Sequence, residues 1–98
     1  MKVVPPPSHL SKAAKSLWSR LMADYQLDDA GGALLLQSAC EAYDRLQEAR
    51  KLIDAEGSVV RDRWNQAKVH PACGIERDAR TQLHSALRLL KLEPGAVQ

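Results

Sequence analysis

Apolar positions along the chain fall into helical rhythms separated by short breaks. In residues 11–25, Ala14, Leu17, Trp18, Leu21, Met22 and Tyr25 recur at steps of three and four, the repeat of one helix face. Ser11 stands at the N-cap position, and Lys12, Lys15, Ser16 and Ser19 share the opposite face. Ahead of them Pro5, Pro6 and Pro7 make residues 1–10 an extended, Pro-rich arm, because proline fixes φ and donates no N–H.

A second, longer rhythm predicts a helix over residues 29–56. Asp28 or Asp29 supplies its N-cap oxygen and Gly57 its C-terminal stop. At 1.5 Å per residue, about 27 residues reach about 40 Å, enough to cross a compact domain of this size. Gly31 and Gly32 weaken the opening turn, which leaves a start two or three residues later open. Leu34, Leu35, Leu36, Ala39, Cys40, Ala42 and Tyr43 make the first half apolar nearly all round. Beyond Tyr43 one seam survives, Leu46, Ala49, Leu52 and Ile53. Steps of four and three join Leu35, Ala39, Ala42, Leu46, Ala49 and Ile53 into a coiled-coil-like stripe. The first helix is therefore expected on the first half, and another helix along the seam.

That other helix is predicted over residues 71–91, with Pro71 in its first turn and Pro94-Gly95 beyond its end. Ile75, Ala79, Leu83, Ala86, Leu87 and Leu90 form its expected core face. Residues 57–70 follow neither period and read as a basic loop, with Val59 and Val60 extended and a small hairpin turning near Asn65-Gln66. The expected fold is all-α: one domain over 1–98, a short N-terminal helix packed on a long antiparallel helical hairpin, the basic loop between the hairpin helices, and a short tail at 92–98.

Composition agrees with packed helices: Leu and Ala dominate and phenylalanine is absent. No window approaches the ~18 apolar residues of a membrane span, and MKVVPPP has no signal-peptide core. No membrane association is expected, and the two cysteines are expected as free thiols in a reducing cytoplasm. The net charge of +2 hides a segregation. Residues 1–20 hold four bases and no acid, 21–57 eight acids against three bases, and 58–98 seven bases against four acids. A basic surface is thus compatible with a nearly neutral protein.

No nucleophile–base pair, convergent carboxylates or phosphate loop is present, so no enzyme activity and no cofactor is expected. His70 and Cys73, with Cys40 and His84 at a distance, supply only one short-spaced pair; zinc sites usually need two. No metal site is expected, Cys40 serves as a small hydrophobe, and Asp62 between Arg61 and Arg63 reads as a loop ion pair. The third helix carries the sharper signal. Arg77, Arg80, His84, Arg88 and Lys91 lie within about 80° of one another at about 100° per residue, while Glu76 and Asp78 fall outside. With Arg61, Arg63 and Lys68 this points to polyanion binding through phosphates, hence salt-dependent. Trp18 lies mid-stripe and is core; Trp64 reads as a plug over the hairpin in preference to a base-stacking platform.

Two stretches together carry a family resemblance. PPPSHLSKAAKSLWSRLMADYQLDD resembles the opening of tailed-phage small terminases, which begin P-x-H-L-S with a lysine and a tryptophan following. DRWNQAKVHPACGIERDARTQLHSALRLLKLEP is similar to their second half: an Asp-Arg loop, His-Pro-Ala, a charged helix and a closing Leu-x-Pro. The resemblance covers residues 5–94; Asn65 stands where relatives often have Gly, and the sequence runs four residues past Pro94 where family members often continue into a tail. It implies a non-enzymatic subunit in the host cell cytoplasm that assembles into a homo-oligomeric ring, binds double-stranded viral DNA, and recruits or regulates the large terminase. Carried onto this chain, Lys12, Lys15 and Arg20 become DNA candidates, and the second and third helices the assembly hairpin. A hairpin too long and thin to bury its own apolar faces places Leu34, Leu35, Leu36, Tyr43, Leu46 and Ile53 as oligomerisation candidates. Two alternatives stay open: a phage or satellite adaptor docking an acidic protein, and a small dimeric DNA-binding regulator.

Overall fold

The computed structural model describes residues 4–25 and 29–90, arranged as α1 (Lys12–Tyr25), α2 (Ala30–Glu56), β1 (Val59–Arg61), β2 (Ala67–Val69) and α3 (Pro71–Leu89). Side chains chosen for the purpose set the helix ends. Ser11 Oγ accepts the Ala14 N–H at 3.1 Å and its carbonyl accepts that of Lys15 at 2.9 Å. Asp29 caps α2, its Oδ2 accepting from Gly32 N at 3.2 Å, so the two glycines do not delay the helix start. Gly57 ends α2 with φ 82°, its N–H bonded to Ile53 O at 2.7 Å. For α3 the N-cap is His70, whose Nδ1 accepts from Ala72 N at 2.9 Å, with Pro71 following in the first turn. Asp28, the connection 26–28, Lys91 and Pro94-Gly95 lie outside the described residues.

α1 packs on the first half of α2, as its apolar face requires. Leu10, Ala14, Trp18, Leu36 and Cys40 are buried together, with Leu17, Leu21, Met22, Ala33, Tyr43 and Leu90 against them. The Pro-rich arm is not extended throughout its described part: Ser8 and His9 form a turn, with Leu10 N donating to Pro7 O at 3.4 Å, and the arm is docked, which its prolines do not announce. Leu10 enters this core at 4 % exposure, and Trp18 Nε1 donates to Val4 O at 3.0 Å. His9 Nε2 meets Glu41 Oε2 at 2.7 Å, Ser11 N donates to Asp44 at 2.9 Å, and Ser11 Oγ bonds the same carboxylate.

α3 lies along α2. Arg45 reaches Gln82 at 2.5 Å, Arg50 approaches Glu76 at 3.7 Å, and Glu56 meets His70 at 2.9 Å, so numbers rise on α2 as they fall on α3. Alanine lines the seam: Ala39, Ala42 and Ala49 on α2, and Ala72, Ala79 and Ala86 on α3, are all buried. Here the expected core face needs correction. Ile75 is 50 % exposed and Leu83, Leu87 and Leu90 only half-buried, while Ala72 joins the core. Methyl side chains let two helix backbones approach closely, which pushes the larger residues to the flanks of the contact.

The chain is mostly helical, and the small hairpin expected within the 57–70 loop is present as a two-stranded sheet. β1 and β2 pair antiparallel in the register Val59↔Val69, Val60↔Lys68 and Arg61↔Ala67. The molecule measures 59 × 28 × 18 Å with a radius of gyration of 16.4 Å, against about 13 Å for a compact domain of ~100 residues. Among the described residues no helix is long and apolar enough to cross a membrane.

Candidate nucleic-acid interface

The α3 row is on the outside. Arg77, Arg80, His84 and Arg88 are all exposed, and their end positions are 11 helical rises apart, about 16 Å of helix. The row is not electrically isolated, however, and this corrects the single-sign reading. Arg77 Nε lies 3.3 Å from Asp78 Oδ1, and Arg80 lies 3.7 Å from Glu76, one turn back. Glu76 is shared, because Arg50 of α2 reaches the same oxygen at 3.7 Å. The Arg77–Asp78 pair is exposed on both sides and contributes about 0–1 kcal/mol, screened by salt, whereas the Glu76 carboxylate is partly covered and its arginines are half-exposed. Arg50 is the cation that sequence reasoning missed: it lies in the acidic third of the chain, and only the packing of α2 on α3 brings it beside the row.

The hairpin forms a second basic cluster, held by one carboxylate. Asp62 Oδ1 accepts the N–H groups of Trp64 and Gln66, both at 2.9 Å. Asp62 N donates to Gln66 O at 3.1 Å, and Asn65 N to Asp62 O at 2.9 Å. Asn65 takes φ 61°, a left-handed conformation that asparagine tolerates. Lys68 Nζ stands 3.5 Å from Asp62 Oδ2, and Arg61 donates to Asn65 O at 3.0 Å. Asp62 is thus both ion-pair partner and turn builder. Trp64 departs from expectation. It is 65 % exposed and plugs nothing; the Arg63 guanidinium sits over its ring, 4.3 Å from the centroid. Strands of three residues offer too small a face to cover an indole, and even Val59 and Val69 stay exposed.

On α1, Lys12 and Arg20 are exposed and Lys15 is half-buried. At about 100° per residue Arg20 stands about 140° round from Lys15, so the three do not share one face. α1 covers the first half of α2 and the hairpin follows its far end, which separates these cations from Arg61, Arg63 and Lys68. The α3 row runs between the two ends.

Thiols and imidazoles have other work. Both His70 ring nitrogens are engaged, by Ala72 N and by Glu56, and Cys73 Sγ lies 3.9 Å from Ser58 O. Cys40 is buried, and burial first, then Asp44 and Glu41, pushes its thiol up to about 11. Gln37 and then His9 hold the Glu41 carboxyl below its usual value. Among the described residues no group of three or more His, Cys, Asp or Glu side chains is placed to hold a metal. Of the residues expected between subunits, Leu36 and Leu46 are buried within this chain at 0 % and 4 %, which takes them off the surface. Tyr43 packs on the α1–α2 core, Leu35 and Ile53 are half-buried, and Leu34 is 66 % exposed. Leu35 and Leu89 also line a groove between α2 and α3, with Ser38, Arg45 and Gln82.

Compared with known proteins, residues 14–98 match a family model described as phage terminase, small subunit. No curated protein and no solved structure matches the chain.

Proposed function

The chain belongs to the phage terminase small-subunit family, and from that premise we propose that it binds double-stranded viral DNA as a homo-oligomeric ring and recruits or regulates the large terminase. The observation that carries the DNA reading is the exposed row Arg77, Arg80, His84 and Arg88 on α3. Arg61, Arg63 and Lys68 extend it at the hairpin end, and Lys12, Lys15 and Arg20 at the α1 end. Contacts of this kind go to phosphates and position the duplex without reading its sequence. The subunit performs no chemistry of its own; cleavage and ATP hydrolysis belong to the large subunit, in the host cytoplasm.

Assembly is supported by what the monomer leaves uncovered. Leu34, Leu52, Ile75 and Leu89 are 45–68 % exposed on helices of an elongated molecule. Scattered apolar side chains are ordinary, but half-buried Leu35 next to Leu34 and half-buried Ile53 next to Leu52 offer a neighbouring subunit an apolar patch towards each end of α2. Reversing Arg77, Arg80 and Arg88 to Glu is expected to abolish duplex binding in a fluorescence anisotropy titration without changing the circular dichroism spectrum. Unchanged binding would sink the interface. Native mass spectrometry tests assembly separately, and a clean monomer at micromolar concentration rules out the ring.

A further inference from the structure

We propose that the β1–β2 tip is a stacking site for an unpaired base of single-stranded DNA, with Trp64 as the platform and Arg61, Arg63 and Lys68 as phosphate partners. This rests on the DNA-binding reading but asks for a different substrate form. The indole is the largest apolar group the protein leaves in water, at 65 % exposure. It does not hang on a loose loop. The turn that carries it is closed by four hydrogen bonds through Asp62, one of them from the Trp64 N–H itself. A fixed exposed ring is a presented ring.

The choice of an unpaired base follows from Arg63. Its guanidinium covers one face of the indole at 4.3 Å, which leaves a single face open. Wedging between two base pairs needs both faces of the inserted group in contact with bases. A ring with one open face instead suits one base that offers a free face of its own, which a single strand provides. Charge agrees with this occupant. The tip holds three cations and one acid, and that acid is turned inward: Asp62 Oδ1 takes two turn amides, and Oδ2 is buried without a hydrogen bond, 3.5 Å from the Lys68 ammonium. The tip thus carries a net positive charge of two for the phosphates on either side of a stacked base.

Intrinsic tryptophan emission of the full chain reads this directly, because Trp18, buried at 2 %, serves as an internal fold reporter. The titrants are an oligothymidylate of about 12 nucleotides and a relaxed closed-circular duplex, which has no ends. The oligothymidylate is expected to quench the exposed component. Trp64→Ala keeps the turn, since any residue supplies the amide that bonds Asp62. It should remove the quenching and weaken oligothymidylate binding by about fivefold or more, with duplex affinity unchanged. Quenching that persists in W64A overturns the proposal, as does an equal loss on both substrates. So does a Trp64 signal that changes with protein concentration alone, which would assign the tip to a second copy of the chain. Binding of the circle without the oligothymidylate removes this inference and leaves the duplex reading standing; binding of neither removes both.

Discussion

Gly57 stops α2 because its backbone, at φ 82° and ψ 159°, lies where only glycine sits without strain. An added Cβ would meet nothing closer than Val59 O at 3.7 Å, so the cost of a side chain there is conformational alone. Gly57→Ala should therefore destabilise by about 1–3 kcal/mol, several degrees of Tm in a domain this size, measurable by thermal circular dichroism. Cys40 makes a second prediction. Its thiol is raised from about 9 to about 11, so folding favours the protonated form. That contribution is complete below about pH 9 and is lost as pH rises from there towards 11. At neutral pH a thiol reagent should label Cys73 in the native protein and reach Cys40 only on unfolding; rapid labelling of both would contradict the burial. Residues with one conformational job were legible in the sequence: Asp29 as cap, Gly57 as stop, Ser11 as cap. His70 was not, because a histidine cap is defined by a ring nitrogen meeting an amide, which no residue frequency announces. Trp64 was misread for a related reason: an exposed indole contradicts the transfer energetics on which reading aromatics as core depends.

The pairing of α2 with α3 is an alanine seam. Ala72, Ala79 and Ala86 recur every seven residues on α3, and Ala42 and Ala49 do so on α2. The stripe was visible beforehand on α2, but the weight given to leucine and isoleucine on α3 was misplaced. Hydrophobicity says which residues leave water; it does not say how near two backbones come, and near approach selects small side chains. Ala79→Leu should accordingly destabilise by about 1–3 kcal/mol through overpacking, seen as a lower urea midpoint. A neutral result would mean the seam has room. The β-hairpin was legible in outline: its extended start and its turn near Asn65 were, its strand bounds and register were not, since three-residue strands carry too few positions to show alternation. The docked arm was illegible for a further reason. Prolines restrict its backbone locally, whereas its contacts with Glu41 and Asp44 depend on partners over 30 residues away.

Across the whole molecule, charge is distributed along 59 Å with the acids of α2 between basic elements. That segregation was readable from the sequence; which cations become neighbours was not, because it depends on the order in which α2 and α3 pass each other. The Arg50–Glu76–Arg80 cluster is the result, and it bears on how the protein responds to salt. A cation in solution ordinarily keeps mobile ions nearby, and binding DNA exchanges ions with the bulk; the salt slope counts about 0.9 for each phosphate neutralised. Glu76 is an ion that cannot leave. It acts as a tethered counterion for two arginines, so a phosphate arriving there displaces a carboxylate that stays attached. Glu76→Gln should therefore tighten duplex binding at low salt and change the slope of log K against log salt. A slope and affinity both unaltered would show that Glu76 does not compete. With it in place, the protein carries part of its own ionic atmosphere as covalent structure, and the DNA binding proposed for this row would be tempered from within.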